Sequence, residues 1–282
     1  MIYDCIIIGK GPAGITAGIY LKRYGYEPLI IAKDGGALER VKDIENYYGI
    51  SHITGPELLK AGENQAKAFG ISIKEEEVLE ISKELHFLVT TNNGTYEAKT
   101  VILACGTSRN RYAKADNLEG VSYCATCDGF FYRKKKIALI GNGKYMAHEL
   151  SVLENICKDI TVFTDGKPLE AEIHSSIPVV LEPINKVIGN PHIEAIEAGG
   201  KSYPIDGCFV AIGNASGFTL AKHLGIGLKG NSILVDENLM TNIEGLYSCG
   251  DSIGGLLQVS KAVGDGAVCA TSVSNYLKMH KS

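Results

Sequence analysis

Tyr3-Asp4-Cys5-Ile6-Ile7-Ile8-Gly9-Lys10-Gly11-Pro12-Ala13-Gly14 is the stretch whose reading decides the fold. Residues 3–8 form a short apolar run that leads straight into a glycine turn, and a helical pattern follows to about Tyr24. A second apolar strand is expected from Pro28 to Ala32. Strand, glycine turn and helix in that order suit the pyrophosphate of a dinucleotide. Gly9 makes the tight turn, Gly11 lets the backbone approach phosphate, and Gly14 lets the helix pack on the strand. The second strand ends in Ala32-Lys33-Asp34-Gly35-Gly36, where Asp34 either holds a ribose hydroxyl or serves as a turn residue.

Beyond it, Asp43-Ile44-Glu45-Asn46-Tyr47-Tyr48-Gly49 is a polar and aromatic loop. A helix is expected from Pro56 to Phe69, then alternating strands with a turn at Asn92-Asn93-Gly94. A buried strand ends in Ala104-Cys105-Gly106-Thr107, whose small residues would let a ligand or another backbone come close. The chain then repeats itself. Ile140-Gly141-Asn142-Gly143-Lys144-Tyr145-Met146 aligns with Ile8 to Gly14, and the register holds without a gap until Thr161 to Thr164 matches Leu29 to Ala32. The expectation is an α/β chain with two Rossmann-like, three-layer nucleotide-binding units.

Just before the second unit stands Cys124-Ala125-Thr126-Cys127-Asp128-Gly129. Two thiols at this spacing can close a disulfide within one turn, and a helix head favours the thiolate, so the pair suits two-electron exchange. Asp128 directly follows the second thiol, where a carboxyl group could give a proton to a sulfur or take one from it. Zinc is the structural alternative, but it needs four ligands, and no second Cys-x-x-Cys or histidine pair lies nearby. The cysteines at 5, 105, 157, 208, 249 and 269 read as inert core thiols, and the seven histidines show no metal spacing. His148 and Glu149, on the helix after the second glycine turn, read as surface residues.

The 282 residues suffice for two domains, or for one discontinuous domain holding another. A hydrophobic share of 45% against 21% charged implies a globular core, and a net charge of −4 points to no nucleic acid or other polyanion as partner. Eight cysteines with one close pair fit a reducing cytoplasm better than a secreted disulfide framework. Asp4 lies where a signal peptide would carry a basic residue, and no apolar run approaches the ~18 residues of a membrane span. The expected location is cytoplasmic, with no membrane association.

Taken together, the first glycine motif, Glu45-Asn46-Tyr47, the Cys-x-x-Cys motif, Cys249-Gly250-Asp251, Leu257-Gln258-Val259 and Gly264-Asp265-Gly266 resemble the low-molecular-weight thioredoxin reductases over nearly the whole chain. The resemblance implies an FAD-binding domain of residues 1–113 and 243–282. A redox domain of 114–242, related to the NAD(P) domain, would be inserted in it. By similarity, Gly9, Gly11, Pro12, Ala13, Gly14, Asn46, Gly106, Gly250, Asp251, Gln258 and Val259 would line the FAD, with Asp34 added in its ribose role. Cys127 would be the thiol nearest the flavin, Cys124 the one that attacks thioredoxin, and Asp128 the proton donor. A homodimer is expected, as is a swing of the inserted domain about hinges near 112–116 and 240–244.

The departures from that family concern the electron donor. NADPH-dependent members end the second glycine turn in a small residue and follow the second strand with a basic cluster. Here the turn carries Met146, and the strand runs into Asp165-Gly166-Lys167-Pro168. A methionine at a contact meant for Gly or Ala overpacks helix against strand, and one lysine does not replace arginines that grip a 2′-phosphate. Asp165 could accept the ribose hydroxyls of NADH, although a turn is its plainer role. The pattern resembles the ferredoxin-dependent flavin thioredoxin reductases. Ferredoxins are acidic, so Arg109, Arg111, Lys114 and Arg133-Lys134-Lys135-Lys136 are docking candidates, with a solvated charged face as the bland account. The other readings are an NAD(P)H-dependent disulfide reductase with a degenerate nucleotide site, and a flavin-binding sensor without turnover. The intact Cys124, Cys127 and Asp128 argue against the sensor.

Overall fold

A computed structural model describes residues 1–106, 112–115, 118–213, 220, 224–230 and 232–280, leaving out the side chains of Thr126 and Cys127. Arg109 and Arg111 therefore lie outside the described residues. The chain divides into two units, residues 1–108 with 216–282, and residues 109–215.

In the first unit, β1 (Ile2–Ile8) lies beside β2 (Pro28–Ile31) and then β3 (Ser72–Lys74), all parallel. On its other side β1 pairs in parallel with the long β6 (Thr95–Leu103). The first part of β6 pairs antiparallel with β5 (Phe87–Thr91), which in turn pairs with β4 (Val78–Lys83). Its last residues pair in parallel with β17 (Leu246–Ser248). Strands buried on both faces need continuous apolar runs, which is why Ile6, Ile7, Leu29, Ile30, Ile31 and Ile102 are fully buried. Each such side chain contributes roughly 1.5–3 kcal/mol.

The helices of this unit follow from their ends and their small faces. In α1 (Pro12–Arg23) proline sits in the first turn, where its missing N–H costs nothing. In α2 (Gly55–Ala68) Thr54 and Glu57 form a reciprocal capping box. The long C-terminal helix α5 (Val259–Met279) packs on α1, with Gly266 directly against the Ala13 carbonyl, a contact no larger residue could make.

The second unit has a five-stranded parallel sheet. Its order is β10 (Val179–Val180), β9 (Asp159–Phe163), β8 (Lys136–Ile140), β14 (Gly207–Val210) and β7 (Val121–Ser122). Between β10 and β14 the chain forms an antiparallel sheet of β11 (Ile184–Gly189), β12 (Ile193–Ala198) and β13 (Lys201–Pro204). Two helices matter for function: the single turn α3 (Ala125–Asp128) and α4 (Lys144–Glu154), which follows the second glycine turn. Both units are Rossmann-like α/β folds, as the repeat predicted.

The chain returns to the first unit by residue 216 instead of 243. The reason is packing. The hairpin β15 (Leu228–Lys229) and β16 (Ser232–Ile233) brings Ser232 against Gly254. Leu239 accepts the N–H of Ser248 at 3.0 Å, and Gly227 donates to Asn242 at 2.8 Å. Residues 240–244 thus lie inside the first unit.

Candidate active site

The first glycine turn has the geometry its spacing predicts. Gly9 adopts φ +117°, and a Cβ there would strike the Ala104 carbonyl. One at Gly14 would strike the carbonyl of Gly9. Gly11 differs, because a Cβ built on it meets nothing within 4 Å, and as the N-cap of α1 it offers no side-chain cap. The space beside Gly11 at the head of α1 is therefore unfilled by side chains, an arrangement that can receive an anion. Gly106 is likewise open, at φ +67°.

Other predicted residues gather in the same unit. Asn46 Nδ2 donates to Gln258 Oε1 at 2.9 Å, tying the tyrosine-rich loop to the residue that precedes α5. Gly250 stands 2.9 Å, measured to a built Cβ, from the Ala13 Cβ, and its N–H donates to Asp265 at 3.1 Å. Lys261 pairs with Asp265 at 2.7 Å and donates to the carbonyls of Gly250 and Gly254. Burial pushes the Asp251 carboxyl up, opposed by Lys261 and aided by Asp265. Asp34 accepts the N–H of Gly36 at 2.9 Å, which supports its turn role over a ribose contact.

In the second unit Cys124 is buried and disulfide-bonded, while Cys5, Cys105, Cys157, Cys208, Cys249 and Cys269 are free thiols. Burial pushes Cys5, Cys105 and Cys208 up to about 12, in keeping with inert core thiols. The side chain of Cys127 lies outside the described residues. Ser122 holds the motif from the strand side. Its hydroxyl donates to Asp128 Oδ2 at 2.7 Å and accepts the N–H of Cys124 at 3.1 Å. Glu149 holds it from α4, accepting the N–H of Ala125 at 2.7 Å.

Glu149 is 2% exposed, which corrects the surface reading. The signal was present: Tyr145, Met146, Glu149, Leu150 and Leu153 form one buried helical stripe. Ser122 carried no such signal, since its role comes from the turn that follows β7.

The second glycine turn has been filled. Met146 is fully buried, and a Cβ at Gly141 would meet its Cβ at 2.7 Å and its Cγ at 2.9 Å. The following loop is tied across the turn. Asn142 Nδ2 donates to the Pro168 carbonyl at 3.0 Å, and Glu170 N–H donates to the Asn142 carbonyl at 2.8 Å. Glu170 Oε2 lies 3.9 Å from a Cβ built on Gly143, at the head of α4, where its counterpart Gly11 faces open space.

Asp165 is also engaged within the chain. It accepts Ile184 N–H at 2.7 Å, Tyr112 Oη at 3.0 Å and Lys114 Nζ at 3.2 Å. Burial opposes its ionisation, but the Ile184 N–H, Lys114 and Tyr112 together hold the carboxyl below its ordinary range. Tyr112 is pushed up by burial and by Asp165.

Lys114 also donates to the Ile184 carbonyl at 2.6 Å, so it belongs to this internal network more than to a docking face. Arg133 lies over the Phe130 ring at 4.7 Å and Lys135 over Tyr132 at 5.2 Å, beside the exposed Phe130 and Phe131. Among the described residues no group of His, Cys, Asp or Glu could hold a metal, and no helix is long and apolar enough to cross a membrane.

A sequence profile of the pyridine nucleotide-disulphide oxidoreductases matches residues 3–266. Thioredoxin reductase from Helicobacter pylori is 33% identical over 98% of this chain and 99% of its own length. The atypical thioredoxin reductase TRi from Desulfovibrio vulgaris Hildenborough superposes with a TM-score of 0.90, at 33% identity over 99% of each chain. The ferredoxin-flavin thioredoxin reductase from Clostridium acetobutylicum gives 0.73, at 29% identity over 98% of each. With the open first turn, the cysteine motif and these likenesses spanning its length, the chain belongs to the pyridine nucleotide-disulphide oxidoreductase family.

Proposed function

We propose that this protein is an FAD-dependent thioredoxin-disulfide reductase that takes its electrons from reduced ferredoxin instead of NADPH. FAD is the cofactor of the family's thioredoxin reductases, and the residues of the first unit fit it. The unfilled space at Gly11, the head of α1 without a side-chain cap and the Asn46–Gln258 bond support this reading. Gly9, Gly11, Pro12, Ala13 and Gly14 would hold its pyrophosphate, with Asn46, Gly106, Gly250, Asp251, Gln258 and Val259 along the rest.

When bound, the flavin supplies the conversion of single electrons into the pair that a disulfide requires. Cys124 and Cys127 are the exchanging sulfurs. Asp128, oriented by the Ser122 hydroxyl, is the proton donor to the departing thiolate. Since Cys124 is buried, a protein disulfide would reach it only after the motif is uncovered.

One observation carries the choice of donor: the second glycine turn is hydrogen-bonded to its own chain and backed by a buried methionine where the first has Gly14. Residues 168 and 170 are hydrogen-bonded to Asn142 in that turn, Met146 fills the helix–strand contact, and the carboxylate that would take ribose hydroxyls is engaged by Tyr112, Lys114 and Ile184. The likeness to a ferredoxin-flavin thioredoxin reductase supports the same reading. Anaerobic flavin titrations with NADPH, NADH and reduced ferredoxin in parallel test it. The flavin should bleach with ferredoxin alone, followed by dithiol formation in thioredoxin. Rapid bleaching by either nicotinamide at micromolar concentration would refute the ferredoxin assignment.

A further inference from the structure

Helix α4 carries one acidic residue on its buried stripe, Glu149, between apolar neighbours that hold the second unit together. A carboxyl is costly to bury unless hydrogen bonds offset its lost hydration. Glu149 accepts the N–H of Ala125 at 2.7 Å. One turn earlier, Tyr145 donates its hydroxyl to the Tyr123 carbonyl at 3.4 Å. The helix thus grips the backbone on both sides of Cys124, whose own N–H goes to Ser122.

We propose that Glu149 is a positioning residue for the redox pair: it withholds the Ala125 N–H from the sulfurs, places a carboxylate beside the first turn, and so holds the equilibrium toward the disulfide. This rests on reading Cys124 and Cys127 as the exchanging pair. A free N–H at the head of a turn stabilises a sulfur anion, and here the one that follows Cys124 is already taken. A neighbouring carboxylate disfavours the same anion by like-charge repulsion. The dithiol is then the less stable partner and the stronger reductant, as an enzyme that reduces another protein's disulfide requires.

Equilibration of the FAD-loaded full chain with glutathione buffers reads this directly. One protein disulfide and two glutathione thiols give the protein dithiol and one glutathione disulfide. The protein S–S bond breaks and the glutathione S–S bond forms. Two electrons and two protons pass from the glutathione thiols to the protein sulfurs. The trapped thiols are alkylated and assigned to Cys124 and Cys127 by peptide mass.

Glu149→Gln keeps the acceptor and the volume but removes the charge, and should move the equilibrium toward dithiol by about threefold, while Glu149→Leu removes both and should move it about tenfold. A merely structural role would lower the thermal midpoint without moving this ratio. An unchanged ratio in Glu149→Gln, or a shift toward disulfide, overturns the proposal. If Glu149→Leu does not fold, Glu149→Gln carries the test alone. A wild-type protein that yields no dithiol at Cys124 and Cys127 would overturn the redox-pair reading, and this proposal with it.

Discussion

Gly11→Ala and Gly14→Ala are the same chemical change three residues apart, and their effects should separate. At Gly11 the backbone is ordinary, with φ −71°, and a methyl group meets nothing within 4 Å. Alanine is a poorer N-cap by roughly 0.5 kcal/mol, but it restricts the unfolded chain by a similar amount, so apo-protein stability should barely change. The methyl group would instead stand where a phosphate approaches α1. Losing one or two charged hydrogen bonds of ~1.5–3 kcal/mol each weakens FAD binding about a hundredfold.

At Gly14 the methyl group meets the Gly9 carbonyl, a backbone atom that cannot swing aside. Overpacking costs up to ~3 kcal/mol and better helix propensity returns ~1 kcal/mol, leaving a loss of about 2 kcal/mol. In a domain of this size that is roughly 4–8 °C. Thermal unfolding of flavin-stripped protein and FAD reconstitution titrations measure the two effects separately. Wild-type FAD affinity in Gly11→Ala, or undiminished apo stability in Gly14→Ala, would refute the reasoning.

Met146→Ala should cost ~2–5 kcal/mol in chemical denaturation, as deletion of a fully buried side chain does. Combined with Glu170→Ala, it should still leave the flavin unbleached by NADPH, because no basic cluster is restored. For Asp165, whose carboxyl is held below its ordinary value, the stabilising contribution is complete above the unfolded-state pKa near 3.8 and is lost as pH falls through the lower folded-state value. Asp165→Asn should therefore be less stable than wild type near neutral pH, with the gap closing under strong acid in urea titrations followed by circular dichroism. Thr54→Ala breaks the capping box of α2 and should cost ~1 kcal/mol in the same assay.

How much was legible in the sequence depended on the range of the interaction. Gly11 and Gly14 could be read because their duties lie within one strand–turn–helix, Gly9 was marked by the turn although the Ala104 carbonyl that crowds it is distant in sequence, and Met146 stood out because the repeat supplied a reference position for it. The tie from Asn142 to Pro168 could not be read. It joins residues on either side of a helix and a strand, and nothing local in Pro168 or Glu170 marks them as partners. Glu149 was legible in its periodicity, but a charged residue type pointed to the surface, and its bond from the N–H of Ala125 is formed only in the fold. The return of the chain at residue 216 was hidden for a related reason. The internal repeat marks where the second unit begins, but the strand pair β15 and β16 is assigned by its packing against Gly254, not by its composition.

The loop stitched across the second glycine turn has a consequence for metabolism. A Rossmann unit that binds a soluble nucleotide gains stability by mass action as that metabolite accumulates, so both its folding and its output follow the cell's supply. A second unit that takes no nucleotide, as proposed, would have no such linkage. On the proposed reading, flux through this enzyme would follow the charge state of the one-electron carriers and continue when reduced nicotinamide is scarce.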